Sequence, residues 1–419
     1  VRVAGQTAQL VVPPLDASSH VADDRVAGRT LAASAVSLVA YGPGDEVELD
    51  VTSGADGAFA FDLGAAGFDL VYNTYVALEV RIGRHSLGHD VDVPGLTLDL
   101  DTGNVSGSSE PDAVSTLSIE RAGRTIASRP VRAGPYGWFD AFVTGADGAA
   151  VVPRPGDAIV LATPGARFIE PRVAMAVPDV TIELPPSRDA IGGRHAPEGT
   201  LSVDLSTDGE AAQWPGETNL DVRPDGRWTL TWANADFRLG GGWSVSAWWT
   251  SPVGHVAARW RSVPRLDLRL DSPHACGRAL PGQPVRLALT GPDGSAALST
   301  SAGRDGRFHG ALAAADGRAR PVRTGDRVAA DLGGWADDIV VPPLDIVVDW
   351  ATMRITGTTA PSTTVGLASW TGDCTAAGGG LGWTPWSTRS GPTGRFGFSL
   401  PDGPVGPFGD DGRFAVVVR

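Results

Sequence analysis

Apolar and polar residues alternate over short stretches of this chain. In SVPRLDLRLD (262–271), Leu266, Leu268 and Leu270 alternate with charged residues, and WTLTW (228–232) alternates in the same way. A period of two is typical of a strand that buries one face. No stretch of ten or more residues has the 3.6-residue period of an amphipathic helix. The pattern therefore predicts an all-β protein built from short strands.

The strand pattern of 262–271 returns at intervals of about 82 residues. VVPPLD occurs at 11–16 and, letter for letter, at 340–345, and DVPGLTLDLD (92–101) and AVPDVTIEL (176–184) are related to it. The prolines that align are Pro13, Pro94, Pro178, Pro264 and Pro342. Proline cannot donate to a ladder, so it belongs at the first residue of a strand or in a linker. Each copy therefore predicts a junction followed by the first strand of a new repeat.

Three further anchors keep step with the prolines. A glycine, mostly in a V-x-G pattern, follows each proline at Gly28, Gly107, Gly193, Gly277 and Gly357. Gly-x-aromatic turns come next, at DGAF (56–59), YGWF (136–139), DGRW (225–228), DGRF (305–308) and TGRF (393–396). A GDxV-like start is clearest in PGDAIVLA (155–162) and TGDRVAAD (324–331). Asp-Gly between strand-like runs predicts a hairpin turn, with the aromatic residue opening the next inward-facing strand.

The anchors predict about seven short antiparallel strands per repeat, which is the pattern of a small immunoglobulin-like β-sandwich. The predicted fold is all-β, a string of about five such repeats of about 82 residues. The predicted boundaries, called here repeats 1 to 5, are 11–91, 92–175, 176–261 (rich in tryptophan), 262–339 and 340–419.

The two ends fall out of register with these repeats. Residues 1–10 resemble the last strand of a preceding or partner unit, and GRFAVVVR (412–419) resembles the penultimate part of an incomplete repeat 5. One interpretation is a window of a longer protein. The other is that the N-terminal strand of one molecule completes the last repeat of the next, which would give head-to-tail filaments.

Charge and composition narrow the classes of partner. The net charge is −14, so the surface repels phosphate backbones and nucleic acid is not an expected partner. No apolar run approaches the roughly 18 residues of a membrane span. The chain begins with Val1, which indicates either a removed leader or a segment of something longer. Cys276 and Cys374 are too few for a disulfide framework, but a bridge between repeats 4 and 5 stays open.

The sequence predicts no catalytic residue and no cofactor other than a candidate calcium ion. None of the seven histidines has the spacing of a zinc site, and no nucleophile elbow or phosphate-binding glycine loop stands in a strand–helix context. Carboxylates at repeat starts and at the GD turns are candidate calcium ligands that would stiffen the junctions. They are Asp99, Asp101, Asp157, Asp267, Asp271, Asp326, Asp345 and Asp349. Their alternative role is that of outward acids that oppose aggregation.

The thirteen tryptophans are the most distinctive side chains. By alternation, the faces of Trp228 and Trp232 and of Trp243 and Trp249 are predicted to be core, and Trp248 is predicted to point outward. The candidate ligand-binding residues are Trp214, Trp248, Trp370, Trp383 and Trp386. Exposed indoles would stack on sugar rings or pack between domains or subunits.

The VPxLxLxLD, V-x-G, DGxF and GDxV anchors together resemble tandem immunoglobulin-like repeats of bacterial cell-surface and extracellular proteins. The resemblance covers nearly the whole chain and is one of architecture, without a single family. It implies an extracellular, non-enzymatic role as a stalk, adhesin, surface layer or filament component, with partners among copies of itself or further repeats of a longer chain. The alternative is an accessory module that binds polysaccharide through the Trp-rich repeats 3 and 5.

Overall fold

A computed structural model describes the chain, apart from a set of residues of which no structural statement is made. These are residues 1, 4–5, 8–11, 13, 43–44, 92, 146–147, 167–169, 186–188, 197, 208–216, 234–236, 238, 240, 242, 304, 350, 370–385, 400–413 and 419. The described part contains strands, two 3₁₀ turns (Val21–Asp23 and Gly64–Ala66) and no α-helix. The predicted all-β fold is confirmed.

The described residues before the first proline junction form two short strands. Strand β1 (Arg2–Val3) pairs antiparallel with β2 (Gln6–Thr7), which is the pairing of a small hairpin. Such a hairpin also joins the last two strands of repeat 1, immediately before the next proline junction.

Repeats 1, 2 and 4 share one topology, with a three-stranded sheet facing a four-stranded sheet. The strands of repeat 1 are β3 (Asp16–His20), β4 (Arg25–Arg29), β5 (Ala35–Tyr41), β6 (Glu46–Thr52), β7 (Ala58–Asp62), β8 (Tyr75–Ile82) and β9 (His85–Val91). They form the sheets β3-β4-β7 and β6-β5-β8-β9. The strands of repeat 2 are β10 (Leu96–Asp99), β11 (Asn104–Ser108), β12 (Val114–Arg121), β13 (Arg124–Arg132), β14 (Trp138–Phe142), β15 (Ala158–Ala162) and β16 (Arg172–Ala176). Its four-stranded sheet is β13-β12-β15-β16.

Repeat 3 distributes its seven strands differently. They are β17 (Thr181–Glu183), β18 (Ile191–Arg194), β19 (Thr200–Thr207), β20 (Thr218–Val222), β21 (Arg227–Trp232), β22 (Trp243–Thr250) and β23 (Val256–Ser262). Here the fourth strand, β20, pairs with β21 and not with β19, which gives the sheet β17-β18-β21-β20. This four-plus-three division is that of a constant-type immunoglobulin domain.

Repeat 4 returns to the first topology, and repeat 5 has six described strands. Repeat 4 consists of β24 (Arg265–Leu268), β25 (His274–Arg278), β26 (Pro284–Gly291), β27 (Gly294–Ser301), β28 (Arg307–Ala311), β29 (Arg327–Leu332) and β30 (Ala336–Val340), in the sheets β24-β25-β28 and β27-β26-β29-β30. Repeat 5 consists of β31 (Asp345–Asp349), β32 (Arg354–Thr358), β33 (Thr364–Ser369), β34 (Trp386–Arg389), β35 (Arg395–Ser399) and β36 (Phe414–Val418), in the sheets β31-β32-β35 and β34-β33-β36.

Two of the sequence anchors meet inside every sandwich. The V-x-G glycine lies in the second strand, directly opposite the aromatic residue of the Gly-x-aromatic turn. The pairs are Gly28–Phe59, Gly107–Phe139, Gly193–Trp228, Gly277–Phe308 and Gly357–Phe396. A Cβ on these glycines would overlap a backbone oxygen at or beside the start of the first strand, and would press on the aromatic ring. A glycine is therefore required at this position, because the aromatic ring packs directly over it.

The glycine of the Gly-x-aromatic turn has a separate, conformational role. At Gly57, Gly137, Gly226, Gly306 and Gly394 its φ lies between +75° and +80°, in the left-handed region. Its carbonyl oxygen accepts a hydrogen bond from the residue that follows the second strand, as in Thr30 N to Gly57 O at 2.9 Å. The turn is thereby tied to the strand that carries the V-x-G glycine.

Candidate functional site

Repeats 2 and 3 are joined by backbone pairing. Strand β10, the first of repeat 2, runs parallel to β23, the last of repeat 3, with Thr97 opposite Val256 and Asp99 opposite Ala258. The result is one six-stranded sheet in the order β14-β11-β10-β23-β22-β19. The amide of Leu100 extends the ladder by donating to the carbonyl oxygen of Ala258 at 2.9 Å.

Asp101 closes the end of this shared sheet. Its carboxylate accepts hydrogen bonds from the Trp260 amide at 2.8 Å and from Arg261 Nη1 at 2.5 Å. Arg259 Nε lies 3.6 Å from the same carboxylate. A repeat 2 acid thus holds the backbone and two arginines of repeat 3, which stabilises the lateral contact beyond the ladder itself.

Repeat 1 is bound to both neighbours by a cluster that we call the three-repeat junction: Tyr72, Asn73, Glu170, Ala174 and His255. The Tyr72 ring stacks on His255 with 4.3 Å between centroids and 9° between planes. The Tyr72 hydroxyl donates to Glu170 Oε2 at 2.6 Å, and Asn73 Nδ2 donates to the carbonyl oxygen of Gly254 at 2.9 Å. One tyrosine therefore contacts repeats 2 and 3 at once.

His255 is the buried centre of this junction. It is 1% exposed, and its Nε2 lies 3.1 Å from the carbonyl oxygen of Ala174, which fixes the proton on Nε2. The other ring nitrogen, Nδ1, has no hydrogen-bond partner among the described residues. Burial lowers the pKa of His255 to about 4, although the Ala174 carbonyl and Glu170 oppose the shift. Burial also raises the pKa of Tyr72, and its hydrogen bond to Glu170 adds to the shift.

The two GD-turn acids predicted as calcium ligands are buried against arginines. Asp157, 3% exposed, accepts hydrogen bonds from Arg121 Nε and Nη2, both at 2.8 Å. Asp326, 0% exposed, accepts from Arg320 Nη1 at 3.0 Å and Nη2 at 2.9 Å. Each also caps its own turn by accepting a backbone amide, from Arg154 and Arg323 respectively. These bidentate pairs give the GDxV anchor a structural role.

The other six candidate calcium ligands also have partners in the protein. Asp99 and Asp349 cap turns by accepting the amides two and three residues on. The remaining four pair with polar side chains: Asp101 with Arg261, Asp267 with Arg265, Asp271 with Arg323, and Asp345 with Thr358. Within the described ranges, no group of three or more His, Cys, Asp or Glu side chains has a metal-site arrangement. Calcium binding stays a prediction.

The tryptophans of repeat 3 divide as predicted between core and outer face. Trp228, Trp243 and Trp249 are at most 5% exposed, and Trp232 is half-buried. Trp248 lies on the outer face, donates its indole N–H to Ser246 Oγ at 3.1 Å, and packs edge-on against Trp260 with 5.2 Å between centroids. Trp214, Trp370 and Trp383 lie outside the described residues, as does the side chain of Trp386.

Several important residues were not predicted from the sequence. Tyr72, His255 and Trp260 act across repeat boundaries, for which the pattern within one repeat carries no signal. Trp138, by contrast, was predictable, since alternation from the anchor Phe139 places it on the outer face. It is 65% exposed. Cys276 is buried and disulfide-bonded, and Cys374 lies outside the described residues.

No protein-family model matches the chain, and no curated protein matches it. Among solved structures it is similar to a tetra-tandem repeat from the extending region of a large adhesion protein, with 17% identity, 77% of this chain and 96% of that chain covered, and a TM-score of 0.15. It is also similar to a structure from a 1.5-MDa bacterial ice-binding adhesin (12% identity, 61% and 98% covered, TM-score 0.16) and to invasin, a bacterial integrin-binding protein (10% identity, 82% and 83% covered, TM-score 0.14). Superpositions this poor carry no argument, so the fold is defined by the strands of the chain itself.

Those strands define an all-β chain of tandem immunoglobulin-like sandwiches. The described residues contain no helix that is long and apolar enough to cross a membrane.

Proposed function

We propose that the chain is a non-enzymatic structural or adhesive segment of an extracellular repeat protein. The observation that carries the proposal is that repeats 1, 2 and 3 are held together by a shared sheet and a buried junction. Independent beads on flexible linkers would need neither. A rigid block of repeats of this kind transmits force and holds the domains at its two ends at a fixed distance. The disulfide at Cys276 supports an oxidising, extracellular setting.

Electron microscopy of the purified chain tests the structural role. We expect particles in which repeats 1 to 3 form one body of constant shape. Five beads that move independently would contradict it. Turnover of any substrate that is lost on a single Asp or His substitution would overturn the non-enzymatic assignment.

Head-to-tail assembly is the finer form of this proposal. In repeats 1, 2 and 4 the sixth strand lies between two neighbours, whereas β36 has β33 as its one described partner. The hairpin β1–β2 stands before VVPPLD as the β8–β9 hairpin stands before the next junction. In this form of the proposal, strands β1 and β2 of one copy add beside β36 of another by strand addition.

Imaging across protein concentrations, with a parallel variant that lacks residues 1–10, tests this assembly. We expect filaments from the intact chain and single particles from the shortened one. Single particles from both would contradict head-to-tail assembly through this strand.

A further inference from the structure

The six-stranded sheet has one outer face that spans repeats 2 and 3. Its core side carries residues such as Phe139, Leu98 and Val245, which are at most 6% exposed. The opposite positions point away from both cores. Because β10 and β23 pair in register, these outward positions form continuous rows from β14 to β19. We call this surface the shared outer face.

Of the six described aromatic side chains that are most open to solvent, three lie on this face and a fourth lies in the turn beside it, whereas Tyr41 and Tyr75 lie in repeat 1. Trp138 and Phe142, on the edge strand β14, are 65% and 42% exposed, and Trp260 on β23 is 37% exposed. Tyr136, in the turn beside Trp138, is 81% exposed. Strands β14 and β22 are four strand spacings apart, so about 19 Å separate Phe142 from Trp248. Aromatic platforms therefore stand at two places along one surface.

Small side chains, most of them polar, occupy the rows between and beside these platforms. Ser106 lies opposite Asp140 and Thr97, and Ser202 lies opposite Trp248. Hydroxyl groups beside exposed rings match a pyranose, whose C–H groups pack on an aromatic face while its hydroxyls hydrogen-bond sideways.

The charge of the shared outer face limits the class of glycan that it would bind. Its charged outward positions are Asp99, Asp140 and Asp204, and no described outward position of the six strands is an arginine. Two arginines from outside the face reach its rim: Arg129 donates to the carbonyl oxygen of Phe142, and Arg278 of repeat 4 donates to Ser262 Oγ at the end of β23. An acidic glycan would be repelled by this surface, and a neutral one would not.

We propose that the shared outer face binds an extended neutral polysaccharide, which stacks on Trp138 and Phe142 at one end and on Trp248 and Trp260 at the other. The site requires both repeats, since neither carries the two platforms alone. It does not depend on filament formation.

Native affinity electrophoresis of the intact chain tests the proposal, with gels that contain hydroxyethylcellulose, xylan, galactomannan or dextran, and alginate as the acidic comparison. At least one neutral polysaccharide should retard the protein, and alginate should not. Trp138→Ala and Trp260→Ala should each raise the dissociation constant about tenfold through lost stacking. Tyr75→Ala in repeat 1, which also removes a half-exposed ring, is the matched control and should bind like the parent.

Circular dichroism should show that the variants fold. Retardation by none of the neutral gels contradicts the proposal, and so does retardation that both tryptophan variants retain. Retardation by alginate alone contradicts the charge argument. If light scattering shows a dimer that Trp138→Ala dissociates, and no gel retards the protein, the face is an interface between copies of this chain.

Discussion

At the scale of single residues, the repeat is conserved in its packing pairs as much as in its motifs. Each sandwich needs a residue without a side chain in its second strand, because an aromatic ring from the fifth strand lies across that point. Sequence alignment of the repeats located both members of the pair. It did not reveal that they touch, since 31 to 39 residues separate the two members of each pair in the chain.

Gly28→Ala should destabilise repeat 1 by about 1–3 kcal/mol, because the new Cβ overlaps the Asp16 backbone and the Phe59 ring. Thermal unfolding measures the loss. Gly88→Ala, in strand β9 of the same repeat, has only one backbone oxygen nearby at 3.8 Å and should change stability by less than about 0.5 kcal/mol. Equal effects from the two variants would contradict the packing role.

Asp326→Asn should cost about 3–5 kcal/mol, because it leaves the buried Arg320 guanidinium without its counter-ion. Asp338→Asn, which breaks an exposed pair with Arg327 in the same repeat, should cost less than about 1 kcal/mol. Urea unfolding compares the two variants. A small loss from Asp326→Asn would show that Arg320 finds another partner.

The Arg320–Asp326 pair also makes the stability of repeat 4 depend on pH at the acid end of the range. Burial disfavours the Asp326 carboxylate, but hydrogen bonds from Arg320 and Arg323 outweigh it and lower its pKa. Its contribution to stability is therefore present above the unfolded pKa of about 3.9 and is lost as pH falls through the lower folded value.

At the scale of strands, connection length decides how repeat 3 differs from its neighbours. Residues 122–123 and 292–293 are two-residue turns that force the third and fourth strands of repeats 2 and 4 to pair. In repeat 3 the corresponding connection is 208–217, which is long enough for β20 to cross to the other sheet. The number of strands was predictable from the alternation of apolar and polar residues. The move of β20 to the other sheet was not, because alternation does not show which strands pair.

Asp101→Ala should loosen the contact between repeats 2 and 3, since it removes the acceptor for the Trp260 amide and for Arg261. Native-state hydrogen exchange should show faster exchange at the amides of Trp260 and Leu100, by about tenfold or more, with the cores of both repeats still protected. Asp225→Ala, in an exposed hairpin of repeat 3, is the control and should leave both amides unchanged. Unaltered exchange in Asp101→Ala would mean that the ladder alone holds the sheet.

At the scale of the whole molecule, lateral contacts turn repeats 1 to 3 into one unit. The repeat period predicted five sandwiches and their order, and the solvent-facing position of Trp248 followed from alternation. The contacts of the shared sheet and of the three-repeat junction join residues 81 or more positions apart, such as Ala174 and His255, or Asp101 and Arg261. No local pattern encodes such pairs, so the shared sheet and the three-repeat junction required the structure.

The three-repeat junction should weaken in mild acid. The pKa of His255 is about 4 in the folded chain and about 6.5 when the junction opens, so protons bind preferentially to the open form. The contribution of neutral His255 to the free energy of unfolding is then fully present above pH 6.5. It falls as the pH drops towards 4, by about 3 kcal/mol in all. Among the described contacts, one carboxylate acts on the His255 ring. It belongs to Glu170, which accepts the hydrogen bond of the Tyr72 hydroxyl.

Unfolding midpoints at pH 7.5 and 4.5 measure this effect. His255→Gln should lose most of the difference between the two pH values, and His309→Gln, which alters an exposed histidine, should retain it. A parent protein with no loss of stability between these pH values would contradict the buried, neutral state of His255.

The central claim is that β10 of repeat 2 lies beside β23 of repeat 3, and one cross-link tests it most directly. Thr97 and Val256 face each other in register, within reach of a disulfide, whereas Thr97 and Thr250 lie two strand spacings apart, at about 10 Å. The double variant Thr97→Cys/Val256→Cys should form the bond on mild oxidation, and Thr97→Cys/Thr250→Cys should not, as read by mass spectrometry of the linked peptides. A bond in neither variant, or in both equally, would show that repeats 2 and 3 do not share a sheet.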